Sequence, residues 1–172
     1  MYLREILPEG KIIGAEIGID RGKFSRILLE MYPEIEKIYG VDGFTKSSNK
    51  QNRNFTNKQW NNYYLSVKKN MNFGSRFEII RKSSLEAISF LPNNLTFVFI
   101  DADHSYQCVL DDINRYEKKV MIGGILCGHD YPCKKYPEVK PAVDFYVQKY
   151  GRDLKSTIDI DIKVGMWWWI KK

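Results

Sequence analysis

Apolar residues fall along this chain in short continuous runs, separated by stretches that are apolar on one side only. KIIGAEIG, beginning at Lys11, is a buried-strand pattern that breaks into a glycine-containing turn, after which FSRILLEMY carries helical spacing. IEKIYGVD ending at Asp42, FEIIRK from Phe77, LTFVFID from Leu95 and MIGGILCGHD from Met121 read as four further strands. Helical patterns fit between them at about residues 58–70, 85–90, 106–118 and 139–149. Strand–helix units of this length require crossovers between parallel strands, with helices on both faces of the sheet. The expected class is α/β, doubly wound and mostly parallel.

The C-terminal portion breaks this rhythm. STIDIDIKVGMWWWIKK gives two strand candidates, with Lys163, Val164 and Gly165 near a tight connection, which predicts an antiparallel hairpin and a seven-stranded sheet with an antiparallel last strand. The Trp167–Trp169 triplet is assigned to that strand, with both faces partly covered, rather than to a ligand-stacking surface. GFTKSSNKQNRNFTN, residues 43–57, is a polar loop long enough to suggest a functional role, and residues 131–141 form a second irregular loop.

Composition narrows the class. A length of 172 residues matches a single domain, 1–172, since domains commonly run roughly 100–200 residues. Hydrophobic content of 44% supplies the apolar surface that a disordered chain lacks. The net charge of +6 permits an anionic partner such as nucleic acid, although much of the excess is scattered lysine that suits a solvated surface. Cys108, Cys127 and Cys133 are odd in number, which fits a reducing compartment better than a disulfide framework. No run of about 18 apolar residues is present and MYLREILPEG lacks the pattern of a signal peptide, so the expectation is a cytoplasmic protein without a membrane partner. The glycosylation triplets at Asn54 and Asn94 are then incidental.

In doubly wound sheets ligands bind beyond the carboxyl ends of the strands, near the switch in strand order. That rule gathers the first turn, Asp42, Ser83 and Ser84, Asp101 to His104, and His129 with Asp130 along one rim. The first turn, E-I-G-I-D-R-G, is not the dinucleotide fingerprint, because its glycines Gly18 and Gly22 are four apart and an acid precedes them inside the strand. Glu16 offers an acceptor for an ammonium or hydroxyl and repels a pyrophosphate, which favours a cationic or zwitterionic ligand. Asp42 is spaced to accept two ribose hydroxyls.

These residues carry a resemblance. Glu16-x-Gly18-x-x-x-Gly22 followed by Asp42 in YGVDGF resembles the first two motifs of class I S-adenosylmethionine-dependent methyltransferases. FIDADHSY and GGILCGHDY are similar to the small-molecule O-methyltransferase branch, including the methyltransferase 24 type found near sugar and macrolide tailoring enzymes. The likeness covers about residues 14–146 and implies a Rossmann-like fold. It further implies that Glu16, Gly18, Ile19 and Gly22 hold the methionine part of S-adenosylmethionine, Asp42 and Gly43 its ribose, and Ser83 and Ser84 its adenine, with Asp101 nearby. Many relatives carry an aspartate in that third segment, whereas this chain reads Arg81-Lys82-Ser83-Ser84. Ser84 is also a candidate cap for the following helix, with Glu86 one residue short of a full capping box.

In the catechol and caffeoyl-CoA O-methyltransferases, which this chain resembles in its last two segments, one aspartate after the fourth strand and an Asp-Asn pair after the fifth bind a divalent cation, usually magnesium. The matching positions are Asp101, His129 and Asp130, a set suited to magnesium or manganese in which the histidine shifts preference toward softer ions. A lysine base in those relatives is matched by His104, whose free pKa near 6.5 suits it to accept a hydroxyl proton near neutrality. His104 and Asp101 are thus the catalytic candidates. The plainer readings are that Asp101 merely leads into the next helix, with Asp103 or Ser105 as its cap, and that His129 and Asp130 only bind the following loop. Asp111 and Asp112 read as the solvated face of that helix, and Cys127, His129 and Cys133 match no standard zinc spacing.

The leading expectation is a metal-assisted O-methyltransferase acting on a hydroxylated small molecule such as a sugar or secondary metabolite. One rival keeps the cofactor and takes a nucleic-acid acceptor, motivated by net charge and the basic Asn-rich loop. Another is a non-catalytic methyltransferase-like module, motivated by the few residues ahead of Gly14; a homo-oligomer, in which another subunit completes the site, stays open alongside it.

Overall fold

A computed structural model describes residues 10–45, 55–159 and 164–172. Most of the 43–57 loop, including Asn54, and Lys163 of the expected connection lie outside the described residues. Seven strands form one sheet: β1 (Ile12–Ile17), β2 (Ile35–Val41), β3 (Phe77–Ile80), β4 (Leu95–Ile100), β5 (Val120–Gly128), β6 (Lys155–Asp159) and β7 (Val164–Ile170). Their order is β3-β2-β1-β4-β5-β7-β6, so the direction of winding reverses between β1 and β4. β1 to β5 are parallel, and β7 runs antiparallel to both β5 and β6. The expected sheet is present, with the antiparallel strand inserted beside β5 and β6 outside it. Val164 and Gly165 already belong to β7 rather than to the connection.

Alternation within strands sends side chains to two cores. Val98 and Ile100 of β4, with Ala15, Ile17 and Leu126, pack under α3 (Ser84–Ala87), α4 (Tyr106–Tyr116) and α5 (Val139–Tyr150). Phe97 and Phe99, with Ile35, Ile38 and Ile125, pack under α1 (Lys23–Met31) and α2 (Asn57–Asn70). All six residues of β4 are buried, as the central strand of a sheet covered on both sides requires. Each such apolar side chain contributes roughly 1.5–3 kcal/mol when removed from water.

Polar locks fix the helices on this scaffold. Glu117, 5% exposed at the exit of α4, accepts hydrogen bonds from Arg152 Nε (2.8 Å) and Nη2 (2.8 Å), Tyr146 Oη (2.9 Å) and Trp169 Nε1 (2.7 Å). Burial works against its charge, but these donors outweigh it and hold its pKa below the usual range. One carboxylate therefore ties α4, α5 and β7 together. Trp167 and Trp169 are 1% and 0% exposed, which fits the structural assignment of the triplet.

Two expectations about helix chemistry are corrected. Ser83, not Ser84, caps α3: its hydroxyl accepts from Glu86 N (3.3 Å) and Glu86 Oε2 accepts from Ser83 N (3.2 Å), completing the capping box with Glu86 at its third position. Asp112 is not on a solvated face. It is 2% exposed, because α4 turns that side toward α3, and its Oδ2 has no hydrogen-bond partner among the described residues.

Burial raises the Asp112 pKa to about 6, against hydrogen bonding from Ser84 and the charge of Arg115. The stability that the neutral form contributes is full below the unfolded value near 3.8 and is lost as pH rises through about 6. Asp112→Asn removes that titration without changing shape. The variant is expected to be more stable than the parent by roughly 2 kcal/mol at pH 7.5, with the gap closing toward pH 4.5. Urea denaturation across that range measures it, and a gap independent of pH would contradict the assignment.

Candidate active site

The rim is assembled by strand ends. Gly18 N donates to Val41 O (2.8 Å) and Asp101 N to Ile17 O (2.8 Å), so the turn after β1 is held between the ends of β2 and β4. Gly18 adopts φ 92° and a Cβ there would meet Asp101 O at 2.2 Å. Only glycine allows both the conformation and the approach. Gly22, also left-handed at φ 71°, starts α1 without a side-chain cap. Glu16 supplies the missing acceptor from beneath: its Oε2 accepts from Ser25 N (3.1 Å) and from the Ser25 hydroxyl. At 3% exposure it supports the helix start and does not line the ligand cavity.

Above the turn opens a cavity of about 790 Å³, large for one drug-sized ligand. Gly18, Asp42, Gly43, Ser83, Ser84 and His104 line it, which brings six of the sequence-predicted residues to one wall system. Asp42, 8% exposed, accepts at Oδ1 from Phe44 N (2.8 Å) and at Oδ2 from Asp20 N (3.0 Å), so backbone donors orient its carboxylate. Tyr63 Oη donates to Asp20 Oδ1 (2.6 Å) and ties the turn to α2. Ile19 is buried at 2% in the core under α1 and α2, and Gly22 faces Met71. Those two shape the turn from outside the cavity.

His104 stands at the cavity edge with its Nε2 2.8 Å from Asp130 Oδ2 and 3.4 Å from Asp101 Oδ1. Its ring stacks on Tyr136 at 3.7 Å and 13°. Burial lowers its pKa, but hydrogen bonds and charge from Asp101 and Asp130 outweigh that and raise it. Asp130 is 6% exposed, and desolvation opposes its charge. Hydrogen bonds from His104 and His129 prevail and hold its pKa far below the ordinary carboxylate range. Its backbone is left-handed at φ 62°, an uncommon state for a non-glycine residue.

Asp101, His104 and Asp130 each offer a ligand atom within 4.8 Å of one another. The cluster differs from the expected Asp101, His129 and Asp130 by one imidazole: His129, more exposed, has Nδ1 3.3 Å from Asp130 Oδ1 and sits beside the group. A second void, about 10 Å³, lies behind Asp101 and His104 and is lined by His129 and Trp167. That volume is close to one water, and Trp167 Nε1 is buried without a partner among the described residues. Asp103 Oδ1 accepts from Ser105 N (2.8 Å) and Oγ (2.6 Å), while Glu138 Oε2 accepts from Tyr106 N (2.7 Å). The start of α4 is thus capped by Asp103 and by a residue from beyond β5. Cys108 is exposed, whereas Cys127 and Cys133 are buried, and all three are free thiols.

A family described as a methyltransferase domain, of the methyltransferase 24 type, matches residues 15–131. An uncharacterized protein of Acanthamoeba polyphaga mimivirus is 30% identical over 135 residues, covering 75% of this chain and 56% of that protein. The chain thus spans about half the length of that relative. An rRNA methylase from Streptococcus thermophilus superposes with a TM-score of 0.67 at 13% identity, over 99% of this chain and 92% of that one. The O-methyltransferase NovP gives 0.65 at 17% identity, over 99% and 74%. SMU.1697c from Streptococcus mutans, in complex with SAH, gives 0.68 at 12% identity, over 99% and 93%. At these identities the structural likeness is one of fold. Among the described residues no helix is long and apolar enough to cross a membrane.

The turn geometry yields a direct expectation. Gly18→Ala forces a side chain into the Asp101 carbonyl at positive φ and is expected to cost about 2–4 kcal/mol. Thermal melting would then drop by roughly 5–15 °C, and an unchanged melting temperature would show that the turn relaxes freely.

Proposed function

We propose, from the premise that this chain belongs to the methyltransferase-domain family of class I S-adenosylmethionine-dependent enzymes, that it methylates a hydroxyl group on a small molecule. The observation that supports this most is His104 Nε2 lying between the Asp101 and Asp130 carboxylates at the edge of the cavity lined by Gly18 and Asp42. In this reading residues 1–172 act as one methyltransferase unit. The Gly18 turn admits the methionine part of the cofactor, Asp42 and Gly43 take its ribose, and Ser83 and Ser84 border its adenine. The acceptor oxygen attacks the sulfonium methyl in line: an O–C bond forms, the C–S bond breaks, and S-adenosylhomocysteine leaves as a neutral thioether. His104 takes the hydroxyl proton.

Two carboxylates and an imidazole fit a divalent cation, magnesium or manganese, by donor chemistry and mutual distance. Asp101 and Asp130 are the carboxylates that would hold it. The imidazole within that distance is His104, and one nitrogen cannot both accept the proton and bind the ion, so base and ligand are alternative roles for its Nε2; His129, with Nδ1 3.3 Å from Asp130 Oδ1, lies beside the set. When bound, such an ion supplies Lewis acidity that lowers the pKa of the acceptor hydroxyl. The net charge of +6 supports a second reading in which the acceptor is RNA.

Calorimetric titration with S-adenosylhomocysteine, followed by methyl transfer to a panel of hydroxylated metabolites with and without magnesium or manganese, tests the proposal. His104→Ala is expected to lower turnover by about 100-fold or more while leaving cofactor affinity within about twofold. Full turnover in that variant removes His104 as base, and no binding by the parent protein removes the cofactor assignment. RNA binding that weakens steeply with salt, with no metabolite turnover, would favour the second reading.

A further inference from the structure

We propose that Tyr136 is a positioning residue for His104: its ring fixes the plane of the imidazole, and with it the direction in which the ring nitrogens can bond. The inference rests on the reading in which His104 serves methyl transfer to a hydroxyl, and it holds whether Nε2 takes a proton or an ion. The two side chains come from different turns, His104 between β4 and α4 and Tyr136 between β5 and α5. Their rings stack at 3.7 Å and 13°, and both residues line the cavity.

Nothing local fixes that plane. His104 lies outside any helix or strand, and the terminal torsion of a histidine, which turns a flat ring on a tetrahedral carbon, is broad and roughly two-fold. The carboxylates hold one ring atom, since Nε2 lies 2.8 Å from Asp130 Oδ2 and 3.4 Å from Asp101 Oδ1. Those contacts choose between the two flips of the ring, because a flip puts carbon where nitrogen stood. Contact at a single atom still lets the ring rock. A parallel ring at 3.7 Å removes that freedom, because tilting drives the two faces into each other. The N–H bonds and lone pairs of an imidazole lie in its plane, and a hydrogen bond weakens steeply as it bends. Setting the plane therefore sets where an acceptor oxygen or an ion must stand.

Tyr136 is itself firmly held. Its N donates to Cys133 O (3.3 Å), and its carbonyl accepts from Val139 N (3.3 Å), the first residue of α5. Glu138 Oε2 accepts from Tyr106 N (2.7 Å), which ties this turn to the start of α4 two residues beyond His104. Tyr131 Oη donates to Asp144 Oδ1 (2.5 Å) and fastens the other end of the turn to α5. The Tyr136 side chain is half-buried against the core under α4 and α5. A leucine would meet a need for apolar volume there, whereas only a flat ring covers the imidazole face in parallel.

That difference is the test. The chain has two histidines, so NMR of protein carrying isotope-labelled histidine separates His104 from His129, with His129→Asn giving the assignment. The parent protein and Tyr136→Phe are expected to show one sharp set of His104 ring signals, moved upfield by the stacked ring. Tyr136→Leu loses that shift and gives broadened or doubled signals. Turnover of the hydroxylated metabolites is the second readout: Tyr136→Leu lowers kcat by about 10–100-fold with acceptor KM and S-adenosylhomocysteine affinity within about threefold, and Tyr136→Phe keeps kcat within about threefold. Sharp, unchanged His104 signals or full kcat in Tyr136→Leu overturn the proposal, as does a Tyr136→Phe variant as impaired as Tyr136→Leu. A parent protein that methylates no hydroxyl removes the functional reading alone, and the His104 signals of parent and variant still decide whether Tyr136 sets the ring. Thermal melting checks folding; if Tyr136→Leu does not fold, Tyr136→Met, whose flexible chain fits irregular space, takes its place.

Discussion

The parallel direction of β1 to β5 is the constraint from which the site follows. Parallel strands cannot be joined by hairpins, so each returns through a helix, and every strand releases its last carbonyls and its following turn on the same edge. The reversal of winding between β1 and β4 parts the helices there and leaves a crevice. Asp42, Asp101 and Asp130 each stand one or two residues beyond a strand end, where Asp42 takes two backbone donors and Asp101 and Asp130 face His104. Close spacing is permitted because Gly18 has no Cβ to hold the β1 turn away from Asp101.

Electrostatics divides the buried acids of this protein into two kinds. Asp130 and Glu117 are desolvated yet keep their charge, because each receives several hydrogen bonds or ion-pair contacts. Asp112 has an Oδ2 without a partner among the described residues, and desolvation moves its pKa up to about 6. Burial alone therefore does not decide ionisation; the number of donors aimed at the oxygens does. For Glu117 those donors come from α5, β7 and Arg152 just beyond α5, and the result is a mechanical lock. For Asp130 they are two histidines, and the result is a charged cluster at the cavity edge.

The strands and the identity of the rim were legible because buried parallel strands read as continuous apolar runs, and their polar ends read as interruptions. The cap of α3 carried a legible signal as well, since Ser83-x-x-Glu86 has the full capping-box spacing that Ser84 misses by one residue. Asp112 was misread because helical periodicity locates an apolar face only where apolar residues mark it, and α3, which covers this position, is a single turn with no periodic signal. Glu16 carried a signal that was available: a buried acid in a strand, followed by a glycine start to a helix that lacks its own cap. The choice between His104 and His129 depended on side-chain reach across two strand ends, which no pattern along one strand records.

The antiparallel strand completes the site as well as the sheet. β7 pairs with the end of β5 from Ile125 to Gly128, and Gly128 lies so close to Trp167 that a Cβ there would meet the indole at 2.4 Å. Tyr131 N donates to Gly165 O (3.0 Å), so the chain is gripped on both sides of His129 and Asp130. That grip holds Asp130 in its left-handed conformation, an uncommon one that surrounding structure must enforce. Glu117 in turn anchors β7 through Trp169. A carboxylate at the far end of α4 thereby supports the geometry of the Asp130–His104 contact, and the tryptophan triplet serves the rim through packing rather than through contact with a ligand.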